Sequence, residues 1–134
     1  MRLRRDILMF DWWIHNADRN LTEKGGNPNL LWDQDAEKLA VIDHNQALDP
    51  AFNAQTFAST HVFHADLSEI FGDLVERASY QSRIAGAFAE FEQACDTVPP
   101  EWWWVDHGVP ADFDRDAARA TLERYLGNDF WRIA

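Results

Sequence analysis

The stretch DRNLTEKGGNPN, residues 18–29, most constrains what this chain can fold into. Two adjacent glycines and an Asn-Pro step break both helix and strand, so the stretch is predicted to be a loop. Before it, apolar residues recur at spacings of four, three and four: Leu3, Ile7, Phe10 and Ile14. This spacing predicts an amphipathic helix from residue 3 to about residue 15. The loop is therefore expected to leave the end of a helix that anchors it.

Two short apolar runs follow the loop and predict a β-hairpin. The runs NLLW, residues 29–32, and KLAVID, residues 38–43, are separated by the polar segment DQDAE. Residues 45–64 are irregular and are predicted to be a long loop held down by its aromatic side chains. Helices are predicted over 67–75, 79–94 and 115–126, the last capped by Asp112 or Asp114 and ended by Gly127. The predicted fold class is therefore mainly α, an α+β arrangement with one small hairpin.

Length and charge limit the classes of protein to consider. The chain has 134 residues, enough for one domain over residues 1–134, and seven Trp with nine Phe predict an aromatic-rich core. The net charge of -11 excludes direct binding to nucleic acid and to anionic lipid surfaces. The small basic cluster of Arg2, Arg4 and Arg5 is interpreted as a solvated helix end.

Cysteine and histidine usage gives no sign of a disulfide, zinc or haem site. Cys95 is the one cysteine and is expected to pack as an inert side chain. His61 and His64 lie three residues apart without a nearby third ligand, so hydrogen-bonded roles are favoured over zinc binding. No apolar run is long enough to insert in a membrane, and Asp6 and Asp11 interrupt any leader, which predicts a cytoplasmic protein.

Three side chains that suit phosphoryl transfer fall in order along the chain. Asn29 opens one predicted strand and Asp43 ends its partner, so both are expected at the same open end of the hairpin, with Asp18 folded over it. Mg²⁺ takes few protein oxygens and keeps its other positions for water and phosphate, so one amide and one carboxylate can hold it. A second aspartate can accept the proton of an attacking hydroxyl.

The segments DWWIHNADRN, NPNLLW and VIDHNQAL resemble the catalytic loop and metal-binding segment of HipA-like kinases, which belong to the protein-kinase-like superfamily. The resemblance extends to DPAFNAQTFASTHVF and to the end of the chain, and it implies the helical C-terminal lobe of such a kinase. It also implies that Asp18 is the catalytic aspartate, and that Asn29 and Asp43 hold Mg²⁺ for ATP.

Three neighbouring residues take further roles from the same resemblance. Arg19 is expected beside the catalytic aspartate, where it shapes the loop or lies close to phosphate. Asn16 is expected in the same part of the cofactor site, and Asn27 is a rival to Asn29 for the metal position. Both interpretations of the metal ligand stay open at this point.

The chain departs from the kinase pattern in two ways. Asn29 follows Asp18 by eleven residues, where protein kinases place that asparagine five residues on, so the loop carries an insertion with Gly25 and Gly26. Only seventeen residues precede Asp18, too few for an N-terminal lobe with its phosphate-covering loop and lysine. Efficient phosphoryl transfer by the chain alone is therefore not expected.

The triplet Trp102, Trp103 and Trp104 is the last feature with a functional interpretation. Successive residues of a helix point about 100° apart, so the three rings cannot share one core face, and they predict a surface for a protein partner.

The favoured hypothesis is a pseudokinase that regulates or inhibits a partner by binding it. The alternative is a residual or split serine/threonine-type kinase that completes its ATP site with a partner lobe or as a homodimer.

Overall fold

A computed structural model describes residues 2–133, which are mostly helical, with 52% of residues in helices. The helices are α1 (Arg2–Trp13), α2 (Ala54–Thr60), α3 (Leu67–Phe71), α4 (Leu74–Phe88), α5 (Phe91–Thr97) and α6 (Arg115–Glu123). The strands are β1 (Asn20–Thr22), β2 (Gly25–Asn27), β3 (Leu30–Asp33), β4 (Lys38–Val41), β5 (Trp104–Asp106) and β6 (Val109–Pro110). Consecutive strands pair as three separate antiparallel hairpins. The predicted fold class is confirmed, with three hairpins in the described residues where one was predicted.

The core forms around the first helix, as the apolar spacing predicted. Trp12 is buried near the end of α1, and its ring packs against Phe57 at 5.6 Å and Phe71 at 5.7 Å between centroids. Its indole Nε1 donates to the carbonyl of Phe130 at 3.0 Å, which satisfies the polar atom of a buried ring. The aromatic-rich core is confirmed, and it fixes the end of α1 from which the next loop departs.

The prediction of a loop over residues 18–29 is wrong for its central part. Strands β1 and β2 pair there in the register Asn20↔Asn27 to Thr22↔Gly25. A Cβ atom on Gly26 would lie 2.4 Å from the carbonyl oxygen of Asn20, and Gly25 has φ of 104°. The two glycines therefore permit a tight hairpin, since only glycine allows this close approach and this backbone conformation.

The predicted long loop over residues 45–64 contains a helix, α2. Asn53 caps it, because its Oδ1 accepts a hydrogen bond from the backbone N of Thr56 at 2.8 Å. Phe57 is 1% exposed and ties the helix to the core. Tertiary burial of one aromatic residue thus stabilises a helix of only seven residues, too short to be stable by propensity.

The middle helices are divided at other places than predicted. The expected helix over 67–75 ends as α3 at Phe71, because Asp73 caps the start of α4 through its bonds to the backbone N of Val75 and Glu76. The helix expected over 79–94 is likewise divided at Ala89 and Glu90 between α4 and α5.

The last predicted helix begins correctly but ends early. Asp114, and not Asp112, caps α6, and the helix gives way at Arg124 to 3-10 turns over Arg124–Leu126 and Asn128–Trp131. Another 3-10 turn, Pro100–Trp103, leads into β5. No helix within residues 2–133 combines the length and apolarity needed to cross a membrane.

Two of the three basic residues at the start of α1, Arg4 and Arg5, form ion pairs, whereas Arg2 is exposed as expected for a solvated helix end. Arg4 contacts Asp66 at 2.6 Å, and Arg5 pairs with Glu69 of α3 and lies 3.9 Å from Glu76 of α4. These pairs attach the first turns of α1 to the next helices.

Candidate functional site

The second hairpin brings two of the predicted metal ligands to the same end. Strands β3 and β4 pair from Leu30↔Val41 to Asp33↔Lys38, and beyond that ladder the backbone N of Ile42 donates to the carbonyl of Asn29 at 3.1 Å. Asp43 follows directly. Asn29 and Asp43 both adopt left-handed backbone conformations, with φ of 48° and 55°, which Asn and Asp tolerate better than most residues.

Asp18 also reaches this end of the hairpin. The Nδ2 atom of Asn29 donates to Oδ2 of Asp18 at 3.1 Å, across a sequence separation of eleven residues. This bond uses a donor of the asparagine amide and therefore leaves its carbonyl oxygen as an acceptor. Asp43 is exposed, and Asp18 is half-buried. The structure thus brings the side chains of Asp18 and Asn29 into contact, and Asp43 lies two residues after β4 at the same end of the hairpin.

Arg19, next to Asp18 in the sequence, is buried in the protein and does not face the solvent. The side chain is fully buried, with 0% exposed, and its Nε donates to Oδ2 of Asp11 at 2.7 Å. Its Nη1 donates to the carbonyl of Asn29 at 2.6 Å and to that of Pro28 at 3.1 Å, and both terminal nitrogens approach the carbonyl of Ile42. Of the two roles considered for Arg19, this position fits the shaping of the loop, because the guanidinium is already surrounded by protein acceptors.

Asp11 is the acceptor that balances this buried charge, and the sequence interpretation missed it. Besides Arg19, its carboxylate accepts from Nδ2 of Asn16 at 2.9 Å and contacts Nε2 of His61 at 3.0 Å. Nδ1 of His61 accepts from the backbone N of Phe63 at 3.1 Å, so Nε2 carries the proton that is donated to Asp11. The signal that could have revealed Asp11 is a charged residue close to the apolar face of a helix.

Asn16 and Asn27 have structural contacts that bear on their predicted roles. Asn16 is 0% exposed, and its Oδ1 accepts from the backbone N of Asp18 at 3.4 Å, so it fixes the turn that presents Asp18. Oδ1 of Asn27 accepts from the backbone N of Asn29 at 3.3 Å. The side chain of Asn29 instead contacts Asp18, so the two asparagines have different partners.

Two histidines flank the cluster. His15, at φ of 56°, stacks on Phe52 with centroids 4.3 Å apart, and burial together with the nearby charge of Arg124 lowers its pKa to about 4. His44, next to Asp43, packs edge-on against Phe10 at 5.5 Å and accepts at 3.4 Å from Nη2 of Arg19. The His15 ring therefore packs against Phe52, and the His44 ring packs between Phe10 and Arg19.

The oxygen ligands fit a hard cation. Among residues 2–133, no group of three or more His, Cys, Asp or Glu side chains is arranged to hold a metal ion. An amide oxygen from Asn29 with a carboxylate from Asp43 is a sparser set, of the kind that Mg²⁺ accepts because it retains water and phosphate ligands. The donor chemistry thus suits Mg²⁺ better than zinc, which prefers nitrogen and sulfur.

The tryptophan triplet lies outside this cluster, on the 3-10 turn Pro100–Trp103 and on β5. Trp102 is 71% exposed and Trp104 54% exposed, whereas Trp103 is half-buried against Phe113, with centroids 5.7 Å apart. The helix on which the expectation for these residues rested does not form, because the triplet is divided between a 3-10 turn and a strand, but the three rings do not share one core face.

The described residues form a helical domain in which one hairpin carries Asn29 in contact with Asp18 and, at the same end, Asp43. The family model described as HipA-like kinase matches residues 1–134, so the chain belongs to the HipA-like kinase family. Searches of curated proteins and of solved structures gave no match.

Proposed function

We propose that this chain supplies the base and the metal ligands of a phosphotransferase site, and that a second unit, a partner lobe or another copy, covers the nucleotide. The observation that carries the proposal is the hydrogen bond from Asn29 to Asp18 at 3.1 Å, made beside Asp43 at the open end of the hairpin. ATP is the phosphate donor that membership of a kinase family suggests.

Each side chain has a chemical task in this proposal. The Asn29 amide holds one oxygen of Asp18 and so orients the other toward a substrate hydroxyl, whose proton Asp18 accepts. The side-chain amide oxygen of Asn29 and the carboxylate of Asp43 would hold Mg²⁺. When bound, this ion neutralises charge on the phosphates of the nucleotide.

The buried side chains of Arg19 and Asn16 support the proposal because they orient the site before any ligand binds. Arg19 holds the backbone carbonyls of Asn29 and Ile42, and Asn16 holds the backbone N of Asp18. One buried ion pair therefore joins the catalytic loop to both strands of the hairpin. Preorganised groups of this kind lower the reorganisation that a reaction requires.

The need for a second unit is inferred from exposed apolar side chains on the hairpin that carries Asn29 and Asp43. Leu31 and Trp32 of β3 are 57% and 58% exposed, and Ile42, between β4 and Asp43, is 38% exposed. Exposed apolar side chains of this kind suit contact with a nucleotide base or another protein surface.

The metal site is testable with Mn²⁺, which shares the oxygen preference of Mg²⁺ and broadens nearby NMR resonances. We expect the resonances of residues 18, 29 and 43 to broaden first, and Mg²⁺ to compete. Asp43→Gly removes the carboxylate while tolerating the left-handed backbone, so it should abolish this selective broadening. Asp35→Gly, at an exposed position in the turn of the same hairpin, is the matched control and should leave it intact.

Mg²⁺ and ATP are then titrated together by calorimetry. The phosphotransferase proposal fails if Mn²⁺ broadens the resonances of acidic residues over the whole surface without selectivity. It also fails if Mn²⁺ broadens the same resonances in Asp43→Gly and in Asp35→Gly. Selective broadening with measurable ATP binding would support it.

A second candidate function is regulation by protein binding without phosphate transfer. The observation that favours it is the exposure of Trp102 and Trp104, away from the cluster. If Mn²⁺ binding fails while a protein ligand binds at these tryptophans, the regulatory function is supported instead.

A further inference from the structure

An apolar groove of about 360 Å³ lies between α5 and the segment that carries the tryptophans. Its walls include Phe91, Cys95, Val98, Trp102, Trp103 and Phe113. The groove is open to solvent along Trp102, whose side chain is 71% exposed. Its apolar walls can take a bulky apolar side chain from outside.

The apolar surface continues onto the third hairpin. Val105 is 76% exposed and Val109 51%, and Trp104 beside them is 54% exposed. A run of this size on a small acidic domain indicates an interaction surface, and tryptophan is among the residues that contribute most to binding at protein interfaces.

Carboxylates without basic partners surround this surface. Glu101 and Asp106 line a second groove, of about 470 Å³, together with Trp104. Within residues 2–133, neither of these two acids nor Asp112 forms a salt bridge. A lysine or arginine placed here would meet unpaired negative charge and a tryptophan face.

Two neighbouring acidic residues, on α5, form salt bridges, unlike those beside the tryptophans. Glu92 pairs with Arg115 and Arg119, and Asp96 lies 2.9 Å from Arg115. Glu92 and Asp96 are therefore neutralised within the chain, while Glu101 and Asp106 beside the tryptophans remain available to a partner.

We propose that the two grooves together bind a short segment of a partner protein that carries a bulky apolar side chain flanked by lysine or arginine. This inference rests on the protein-binding function proposed above and is independent of phosphate transfer. The net charge of -11 argues against a nucleic acid or an anionic membrane as the occupant, because each would be repelled.

A library of random twelve-residue peptides displayed on phage and selected against the full chain tests the inference. We expect enriched peptides to combine Trp, Phe or Leu with two or more basic residues. A synthetic copy of the most enriched peptide is then measured by fluorescence anisotropy. Trp102→Ser should weaken binding by about tenfold or more, the range of an interface hot spot, and Glu101→Lys should weaken it more at low salt than at high salt.

Matched controls come from exposed residues elsewhere. Leu74→Ser changes a side chain that is 76% exposed, and Glu23→Lys reverses an exposed charge at the tip of the first hairpin. Both should bind the peptide with unchanged affinity. Because Trp102 and Glu101 are exposed, their variants are expected to melt at the temperature of the unsubstituted chain.

Several outcomes would overturn the inference. They are the absence of enrichment, enrichment of peptides without basic residues, and equal peptide binding by Trp102→Ser, Glu101→Lys and the controls. Association of the chain into dimers through Trp102, or its partition onto neutral phosphatidylcholine vesicles in place of peptide binding, would assign the surface to another occupant. None of these outcomes depends on Mn²⁺ or ATP binding, so the two proposals fail separately.

Discussion

Replacing Asp11 by asparagine is expected to lower the free energy of unfolding by about 3 to 5 kcal/mol, the cost of breaking a buried ion pair by removing one partner. The Asp11 carboxylate is 0% exposed and accepts from Arg19 at 2.7 Å, from Asn16 at 2.9 Å and from His61 at 3.0 Å. Asp11→Asn keeps the shape of the side chain, but it leaves the buried guanidinium of Arg19 without a counter-charge.

This loss is a large fraction of the total free energy of unfolding of a domain. Domains of this kind have unfolding free energies of about 5 to 15 kcal/mol, so the variant should unfold at a much lower urea concentration. Urea titration followed by tryptophan fluorescence measures the change. Asp129→Asn is the control: Asp129 pairs at 3.6 Å with Arg132 where both side chains are well exposed, so its removal should cost about 0 to 1 kcal/mol.

A double replacement isolates the reason for the loss. Asp11→Leu combined with Arg19→Met removes both charges, and it should recover part of the stability because the uncompensated charge is gone. Hydrogen exchange at the amide of Ile42 should also accelerate in Asp11→Asn, since Arg19 holds the end of the hairpin. A loss below about 1 kcal/mol for Asp11→Asn would refute the argument that this pair fixes the catalytic loop.

Two further predictions concern stability. The folded-state pKa of His15 is about 4, below the ordinary value of 6.5, so its stabilising contribution is present above pH 6.5 and is lost as pH falls toward 4. Since the ring is partly exposed, screening limits this loss to about 1 to 2 kcal/mol. His15→Asn should give a flatter pH profile of the urea midpoint over that window, and an unchanged profile would count against the assignment. Gly26→Ala should destabilise the chain, because its Cβ would meet Asn20, whereas Gly86→Ala in the last turn of α4, where a Cβ would meet no atom within 4 Å, should stabilise it by about 0.5 to 1 kcal/mol. Thermal melts of the two variants test this contrast, and equal shifts would contradict it.

Local sequence signals predicted the helix and the hairpin that carry the candidate site, but they did not predict the β1–β2 hairpin or the helix α2. The spacing of apolar residues gave α1, and the two apolar runs gave the β3–β4 hairpin within one or two residues. The prediction failed where a residue has two possible uses. Gly25 and Gly26 break regular structure in general, yet here they permit the β1–β2 hairpin, and Asn53 can start either a turn or a helix.

The sequence by itself determined that Asn29 and Asp43 would lie at the same end of a hairpin, because antiparallel pairing brings the start of one strand to the end of its partner. The contact between Asn29 and Asp18 joins residues eleven positions apart, and the β1–β2 hairpin between them folds that segment back. Only the tertiary structure decided that Arg19 faces inward. Its direction depends on Asp11 eight residues earlier and on His61 fifty residues beyond that aspartate, and these long-range contacts leave no local periodic pattern. A charged side chain can be buried only where its partners converge, and that convergence is a property of the packed fold.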